Sequence, residues 1–333
     1  MSQPLNVFQR LMRAWDRIHP YNAAQCAVLD SSIDPQRLID AFPRAIDSAG
    51  LGEVRVDGHV ATIARVPLTD ARLQPAAAWA GGSFERHLSA QLNEPFDPER
   101  CVPFRAFVVR DDTGCRAGIV YSHWVADSLS MRRLVHRWIV LALGHPAPPP
   151  VLPMPGGYGS LVGPNRLPWT LARGLLDAMR HSSRLRSVRR TPTNAPEQQS
   201  VAFQVHPLPD GIGDALRRRA RDRSVTVNDV MLAASAEELS RATVRQKTRR
   251  RPDLSMGTIV DLRRMIDLPD RHFGLLLGFV GNVWRPGALQ DFDRLLDITA
   301  RQSRQSRADH AAAASMIRLA IGCFLAERWS ARK

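Results

Sequence analysis

The sequence predicts an α/β protein built from two mixed-sheet subdomains on either side of a linker. A chain of 333 residues is long for one hydrophobic core, which favours two domains. Segments with strand-like and helix-like apolar spacing occur in both halves, as in α/β folds. Between them, residues 145–199 are rich in proline and glycine, which interrupt regular structure. We therefore expect an N-terminal subdomain over 1–144 and a C-terminal subdomain over 200–333.

In the first half, apolar spacing predicts a helix over Phe8–Ile18. The pair Asp34-Pro35 predicts the start of a second helix, because aspartate caps helix N-termini and proline suits the first turn. The other expected elements are a strand at 26–29, a hairpin of strands 54–56 and 60–66 around Asp57-Gly58, a helix at 84–92, strands at 104–109 and 117–121, and an apolar helix at 129–143.

The linker has helical spacing over residues 169–190. The second half has the patterns of strands and helices in mixed order. Expected strands lie at 201–205, 256–260 and 275–283, and expected helices at 213–221, 228–241, 290–304 and 311–326. Asn228 is the expected cap of the second of these helices, since asparagine side chains accept from first-turn amides.

Composition places the chain among globular proteins. Apolar residues make up 44% and charged residues 23%, which excludes a disordered or fibrous class. No apolar run reaches the roughly 20 residues of a membrane helix, and the N-terminus lacks the pattern of a signal peptide. We expect a cytoplasmic protein, at most peripheral to a membrane. The four cysteines are widely spaced, which predicts reduced thiols and neither a zinc site nor a disulfide framework.

The charge is strongly positive. Lysine and arginine number 46 against 32 acidic residues, giving +14, and only Lys247 and Lys333 are lysines. Arginine runs at 184–190, 217–223 and 245–251 favour an anionic partner, such as a phosphate-bearing cofactor, an acidic protein, an anionic lipid or nucleic acid. A solvated helix face is the simpler and favoured explanation of each run.

The strongest candidate for chemistry is His123. A buried apolar strand ends at this histidine, Asp127 follows four residues later, and an apolar helix begins just beyond. A strand end is a rigid mount for a base, and a neutral imidazole accepts protons near neutral pH. The spacing alone is weak evidence, because His206 and Asp210 repeat it in an exposed, proline-rich connection. Gly-x-Ser-x-Gly, P-loop, dinucleotide and helical metal-binding motifs are absent.

Four stretches in the same order resemble the His-x-x-x-Asp acyltransferases related to chloramphenicol acetyltransferase. Their motifs are most similar to those of condensation domains and wax ester synthases. Besides the His123 region, the stretches are Asn93-Glu94-Pro95-Phe96-Asp97 with Pro103-Phe104-Arg105, Val225-Thr226-Val227-Asn228-Asp229, and Ile259-Val260-Asp261-Leu262-Arg263 with Gly278-Phe279-Val280-Gly281-Asn282. The resemblance covers the chain from the first helix to Asn282.

The resemblance implies a fold of two chloramphenicol acetyltransferase-like subdomains and an acyltransferase activity. His123 would be the general base that activates a hydroxyl or amine acceptor for attack on a thioester, without a covalent intermediate. Asp127 would be structural, with Arg263 as its salt-bridge partner. Acyl-CoA or an acyl-carrier protein would donate the acyl group as co-substrate, with no tightly bound cofactor and no metal. Donor type, and ester or amide product, stay open.

Two departures from the family pattern bear on these expectations. The fuller motif has two consecutive histidines, of which the second corresponds to His123, and a glycine after the aspartate; this chain has Ser122 and Ser128 at the other two positions. The resemblance implies a substrate tunnel at the base, and Ser122, Ser128, Asn228 and Asn282 are candidates for that tunnel or for positions next to the motifs. After Asn282 the remaining residues have helical patterns, whereas the family adds further strands, so we expect either an abbreviated second half or a sequence that is a piece of a longer chain. An unfinished sheet edge would favour dimerisation.

Two alternatives to the enzyme follow from these observations. The first is a non-catalytic relative that retains the fold and acts in protein interaction. The second is a binder of nucleic acid or of a membrane surface through the arginine runs, for which a contiguous basic face and steep salt dependence are expected. The acyltransferase is the leading interpretation, and nucleic acid is the least favoured partner.

Overall fold

A computed structural model describes most of the chain. It covers residues 2–29, 33–64, 73–74, 83–97, 100–111, 114–153, 172, 174–176, 179–180, 183–190, 200–244, 247–263, 270–308 and 311–330. The described helices are α1 (Val7–Asp16), α2 (Pro35–Ser48), α3 (Phe84–Asn93), α4 (Ser128–Ala142), α5 (Ile212–Asp222), α6 (Val227–Ala242), α7 (Phe292–Ala308) and α8 (Ala311–Ser330), with a 3-10 turn at Pro286–Ala288.

The described strands complete the element order. They are β1 (Ser2–Pro4), β2 (Asn22–Leu29), β3 (Glu53–Asp57), β4 (Val60–Ala64), β5 (Leu73–Gln74), β6 (Arg100–Cys101), β7 (Phe104–Asp111), β8 (Gly114–Ser122), β9 (Leu152–Pro153), β10 (Leu254–Asp261), β11 (His272–Phe273) and β12 (Leu277–Trp284). Most predicted elements are therefore confirmed, with bounds that differ by a few residues. The helix predicted over 169–190 lies largely outside the described residues.

The chain folds into two compact units whose boundaries differ from the predicted ones. The first unit comprises Met1–Pro164, Ala195–Val205 and Ile266–Leu276, and the second comprises Asn165–Asn194, His206–Met265 and Leu277–Lys333. A linear division at a linker was therefore too simple. The physical reason is that short segments from later in the chain bond to the first unit, as β11 does in pairing parallel to β9.

The first unit is organised around a mixed sheet of order β2-β8-β7-β5. Strand β8 is central, antiparallel to β2 and β7, and β5 pairs parallel to β7. Helix α3 covers one face, where Leu88, Leu92, Phe107 and Val120 form a buried cluster. Helices α2 and α4 pack on each other, with Trp138 Nε1 donating to the Leu38 carbonyl at 2.7 Å. A second sheet has the order β1-β4-β3-β6.

The predicted hairpin at Asp57-Gly58 and the start of α2 are confirmed. Strands β3 and β4 are antiparallel, and Gly58 has a φ of +55°, the left-handed conformation that favours glycine in such a turn. Asp34 caps α2 by accepting from the Gln36 amide at 3.0 Å.

In the second unit, the described residues form one two-stranded antiparallel sheet, β10 with β12. Trp284, Leu295, Leu296, Ala233 and Ala236 lie in its buried core. The abbreviation of the second half relative to the family stays a prediction.

Three expectations about the second half were wrong. Residues 201–205 form no strand; they extend along α3 of the first unit, where Asn93 Oδ1 accepts from the Val201 amide at 2.8 Å and Ser89 Oγ from the Phe203 amide at 2.8 Å. Strand β12 begins at Leu277, two residues after the expected start. The cap of α6 is Thr226, so Asn228 already lies within the helix.

The capping of α6 is a reciprocal pair of hydrogen bonds. The Asp229 amide donates to Thr226 Oγ1 at 3.1 Å, and the Thr226 amide donates to Asp229 Oδ2 at 3.0 Å. Threonine at the cap with an acidic residue three positions later explains why the helix begins one residue earlier than predicted.

Candidate active site

His123 lies in the turn between β8 and α4, as predicted. Its backbone N–H donates to the Tyr21 carbonyl at 3.0 Å, which ties the turn to the residue that precedes β2. The Val125 amide donates to the Ser122 carbonyl at 3.1 Å and closes the turn. His123 is half-buried.

The hydrogen bond of the His123 ring fixes which nitrogen can act as a base. Nδ1 lies 3.2 Å from the Ala126 carbonyl oxygen. A carbonyl oxygen only accepts, so this contact is a hydrogen bond only when Nδ1 carries the proton. The neutral ring then has its lone pair on Nε2, which is the nitrogen available to take a proton from an acceptor.

Two of the three tyrosines of the chain flank His123. The Tyr21 ring stacks on the imidazole with centroids 5.6 Å apart and an interplanar angle of 12°. The Tyr121 ring meets the imidazole edge-on at 5.8 Å and 73°. Trp15 continues the row, with its centroid 5.5 Å from that of Tyr21. Because Trp15 and Tyr21 are 42% and 37% exposed, an aromatic row leads from the surface to the imidazole.

The phenol of Tyr121 keeps its proton. Burial raises the pKa of the Tyr121 phenol well above its usual range, and the negative charge of Asp127 adds a smaller shift in the same direction. It therefore contributes to the site as an apolar ring and a neutral hydroxyl group.

Asp16 supports the turn through Tyr21. Its Oδ1 accepts from the Tyr21 amide at 2.7 Å. Burial raises the pKa of the Asp16 carboxyl, although the bond from the Tyr21 amide and the nearby Ser122 hydroxyl act against this shift. Asp16 thus fixes Tyr21, and Tyr21 fixes His123 through both its carbonyl and its ring.

Asp127 is buried and holds backbone groups in place. Its Oδ1 accepts from the Ser130 amide at 2.9 Å as the N-cap of α4, and its Oδ2 accepts from the Leu276 amide at 3.0 Å. The Asp127 amide and the Ser130 hydroxyl both donate to the Gly274 carbonyl at 3.0 Å. These contacts tie the start of α4 to residues 274–276.

Arg263 is fully buried within the second unit, where its Nη1 lies 3.0 Å from Asp261 Oδ1. Its backbone amide also donates to Asp261 Oδ1 at 3.0 Å. The expected pairing of Arg263 with Asp127 stays a prediction, since the two residues belong to different units.

The remaining candidates are distributed over both units. Ser122 is buried directly before His123, and Ser128 Oγ lies 3.3 Å from Gln25 Oε1 at the start of α4. In the second unit, Asn282 is buried with Nδ2 3.4 Å from Thr258 Oγ1, and Asn228 is exposed in the first turn of α6. The first unit therefore brings His123, Ser122, Asp127 and Ser128 together.

The Asn93–Arg105 stretch has a structural explanation. Arg105 Nη2 donates to the carbonyls of Gln91 and Glu94, both at 2.8 Å, and its guanidinium lies 3.9 Å from the centre of the Phe96 ring. Asn22 Nδ2 donates to the same Glu94 carbonyl at 2.7 Å. These bonds satisfy the C-terminal carbonyls of α3 and fasten that helix to β2 and β7, the two neighbours of β8.

Among the residues that the structure describes, no cluster of histidine, cysteine and acidic side chains could hold a metal ion. No helix in the same residues is long and apolar enough to cross a membrane.

Comparison with known proteins relates the chain to solved structures alone. No family model and no curated protein matches it. The tallysomycin biosynthesis protein TlmII superposes with a TM-score of 0.67 at 19% identity, covering 97% of this chain and 78% of that one. The first condensation domain of the calcium-dependent antibiotic synthetase gives a TM-score of 0.67 at 18% identity, covering 93% and 75%.

A third match is the condensation domain of the Monacolin K polyketide synthase MokA, with a TM-score of 0.63 at 15% identity and 97% and 76% coverage. The chain has the condensation-domain fold. The fold predicted from the order of the four motifs is thereby confirmed.

Sequence reasoning missed Asp16, Tyr21 and Tyr121. A signal for the tyrosines existed in the register of the sheet. Asn22 pairs with Ser122, so Tyr21 comes opposite His123, while Tyr121 lies in β8, two residues before His123. Asp16 had no such signal, because it is the last residue of α1 and its bond from the Tyr21 amide depends on how the loop after the helix returns to it.

Proposed function

We propose that the protein transfers an acyl group from a thioester to a hydroxyl or amine acceptor, with His123 as the general base. The observation that carries this proposal is the bond from His123 Nδ1 to the Ala126 carbonyl, at 3.2 Å. It leaves Nε2 as the proton-accepting nitrogen on a half-buried ring at a rigid strand end.

The proposed reaction is a direct displacement. Nε2 of His123 takes the proton of the acceptor O–H or N–H as the oxygen or nitrogen attacks the thioester carbonyl carbon. The tetrahedral intermediate collapses, the carbon–sulfur bond breaks, and the departing thiolate receives the proton from the imidazolium. The products are an ester or amide and a free thiol, and the base returns to its neutral form.

The comparisons support a thioester donor for this reaction. Two of the matching proteins are named as condensation domains of an antibiotic synthetase and a polyketide synthase. Condensation chemistry in such assemblies uses acyl groups on carrier proteins. We therefore propose an acyl-carrier protein as a second possible donor besides acyl-CoA, and as a partner of this protein. The positive charge of +14 favours either anionic donor.

Asp127 and Arg263 have supporting roles in the proposal. Asp127 holds the start of α4 and residues 274–276, which keeps the Ala126 carbonyl in place for His123. An ion pair of Asp127 with Arg263 would link this region to the second unit. Ser122, Ser128, Asn228 and Asn282 are proposed to lie at the margin of the substrate path.

The test is release of free thiol from a panel of acyl-CoAs and acyl-carrier proteins in the presence of pooled alcohols and amines. Wild type is compared with His123→Ala and with His206→Ala. His206 is a matched control, because it has the same spacing to an aspartate but lies exposed in a segment without a strand or helix. Circular dichroism establishes that all three proteins are folded.

We expect thiol release by wild type and His206→Ala, and loss of at least 100-fold in His123→Ala, the low end of the range for a general base. A folded His123→Ala protein with full activity would overturn the assignment of the base. No release from any donor by wild type would favour the non-catalytic alternative.

A further inference from the structure

The second unit contains an open groove beside the end of β12. Two cavities of about 430 and 310 Å³ adjoin there, and both are lined by Val283, Arg285 and Gln302. The first extends under Arg294 and the second toward Arg184 and Asp253. Each volume falls in the range of about 300–1,000 Å³ that is usual for small-molecule sites.

The floor of the groove is held by hydrogen bonds. The Val283 amide donates to Gln302 Oε1 at 3.1 Å, and Gln302 Nε2 donates back to the Val283 carbonyl at 2.8 Å. Next to this pair, Trp284 Nε1 donates to Thr299 Oγ1 at 3.0 Å. With both ends of the Gln302 amide bonded and the indole fixed, the groove is preformed in the protein without a ligand.

Three arginines line the groove, and their guanidinium groups are not bonded to any other described residue. Within the part of the chain that the structure describes, the guanidinium groups of Arg184, Arg285 and Arg294 make no hydrogen bond or ion pair. Other arginines nearby are paired, as Arg219 is with Asp293 and Arg223 with Asp297. Unpaired guanidinium groups around a preformed groove favour a ligand with phosphate groups, which they bind in a bidentate manner.

Two further features narrow the class of ligand. Apolar surface from Val283, Ala288 and Ile298 lines the groove and suits a planar apolar group. Asp253 Oδ2 accepts from Ser187 Oγ at 2.7 Å, which leaves Oδ1 able to accept from a ligand hydroxyl. Arginines, an apolar floor and one carboxylate together suit the phosphates, base and ribose hydroxyls of a nucleotide.

We infer that the groove formed by Val283, Arg285, Arg294, Gln302, Arg184 and Asp253 binds a phosphorylated nucleoside. The inference uses residues of the second unit alone, and none of them takes part in the chemistry proposed for His123. A protein without acyltransferase activity could therefore still have this site, and an active acyltransferase could lack it.

The experiment is isothermal titration of the full chain with adenosine 3′,5′-bisphosphate, adenosine and inorganic pyrophosphate at one fixed ionic strength. It is repeated with the double variant Arg285→Ala/Arg294→Ala. The matched control is Arg218→Ala, since Arg218 is also exposed and has no partner among the described residues, but lies on α5 away from the groove lining.

We expect adenosine 3′,5′-bisphosphate to bind more tightly than adenosine or pyrophosphate, with affinity at least tenfold weaker in the double variant and unchanged in Arg218→Ala. Absence of binding to wild type would overturn the inference. So would equal affinity for pyrophosphate and the nucleotide, which would show general attraction to anions. If Arg218→Ala lost as much affinity for adenosine 3′,5′-bisphosphate as the double variant, the inference would also be overturned, because the loss would then come from the lower net charge.

Discussion

The Tyr21 ring lies nearly parallel to the imidazole of His123, with centroids 5.6 Å apart at 12°. The same two residues share a backbone hydrogen bond of 3.0 Å from the His123 amide to the Tyr21 carbonyl. Tyr21 therefore restrains both the main chain and the ring of the proposed base, leaving little freedom in the direction of Nε2.

This relationship predicts a graded effect of substitutions at Tyr21. Tyr21→Phe keeps the stacked ring and should retain most of the thiol-release activity. Tyr21→Ala removes an aromatic pair worth about 0.5–1.5 kcal/mol, which corresponds to a loss of roughly two- to tenfold in kcat. Steady-state kinetics of both variants provide the measurement. Equal kcat values for Phe and Ala would show that the stacking does not position the imidazole.

Asp127 should matter for stability as well as for activity. Asp127→Ala removes the N-cap of α4, at a cost of about 0.5–2 kcal/mol, and leaves the buried Leu276 amide without this acceptor, at a further cost of about 1–3 kcal/mol. Asp127→Asn keeps an oxygen for one of the two amides and should lose less. Urea denaturation of both variants measures the difference. A fully stable Asp127→Ala protein would contradict the structural role.

Gly118 is required by the packing of the sheet under His123. A Cβ at this position would lie 2.3 Å from Phe107 Cζ and 2.9 Å from the Gln25 carbonyl oxygen. Gly118→Ala should therefore destabilise the protein by about 1–3 kcal/mol.

The matched control for Gly118 is Gly257→Ala in β10, where a Cβ would meet no heavy atom within 4 Å. This variant should be neutral or slightly stabilising. Thermal denaturation of both proteins tests the pair, and similar melting temperatures would contradict the steric argument.

Asp229 should make the stability dependent on pH in the acid range. Burial alone would raise the pKa of its carboxyl, but the hydroxyls of Ser303 and Thr226 and the charge of Arg307 outweigh burial and lower it. A lowered pKa in the folded state contributes stability that is present above the ordinary value near ~3.9 and is lost as pH falls through the folded-state pKa.

The variant Asp229→Asn should accordingly be less stable than wild type at pH 7, and the difference should shrink below about pH 4. Denaturant midpoints at a series of pH values measure it. A difference that stays constant down to the lowest pH would show that the charge of Asp229 does not contribute.

Much of the fold could be predicted from local pattern. The bounds of α2, α3, α4 and the β3–β4 hairpin follow from apolar period, a capping aspartate and a turn glycine, all of which act over a few residues. The strand predicted at residues 201–205 is not formed, for the opposite reason. Their apolar alternation suggests a strand, but their hydrogen bonds go to side chains of α3, more than 100 residues earlier.

The candidate site likewise combines features that the local sequence predicts with contacts that depend on packing. The sequence by itself determined His123 as the histidine at a strand end and Asp127 as the acid at the start of the next helix, because strand, turn and cap are local features. Only the tertiary structure decided that Tyr21 stacks on the imidazole, that Asp16 fixes Tyr21, and that Asp127 holds Leu276. These contacts join segments up to 149 residues apart, and their geometry depends on packing that no local pattern records.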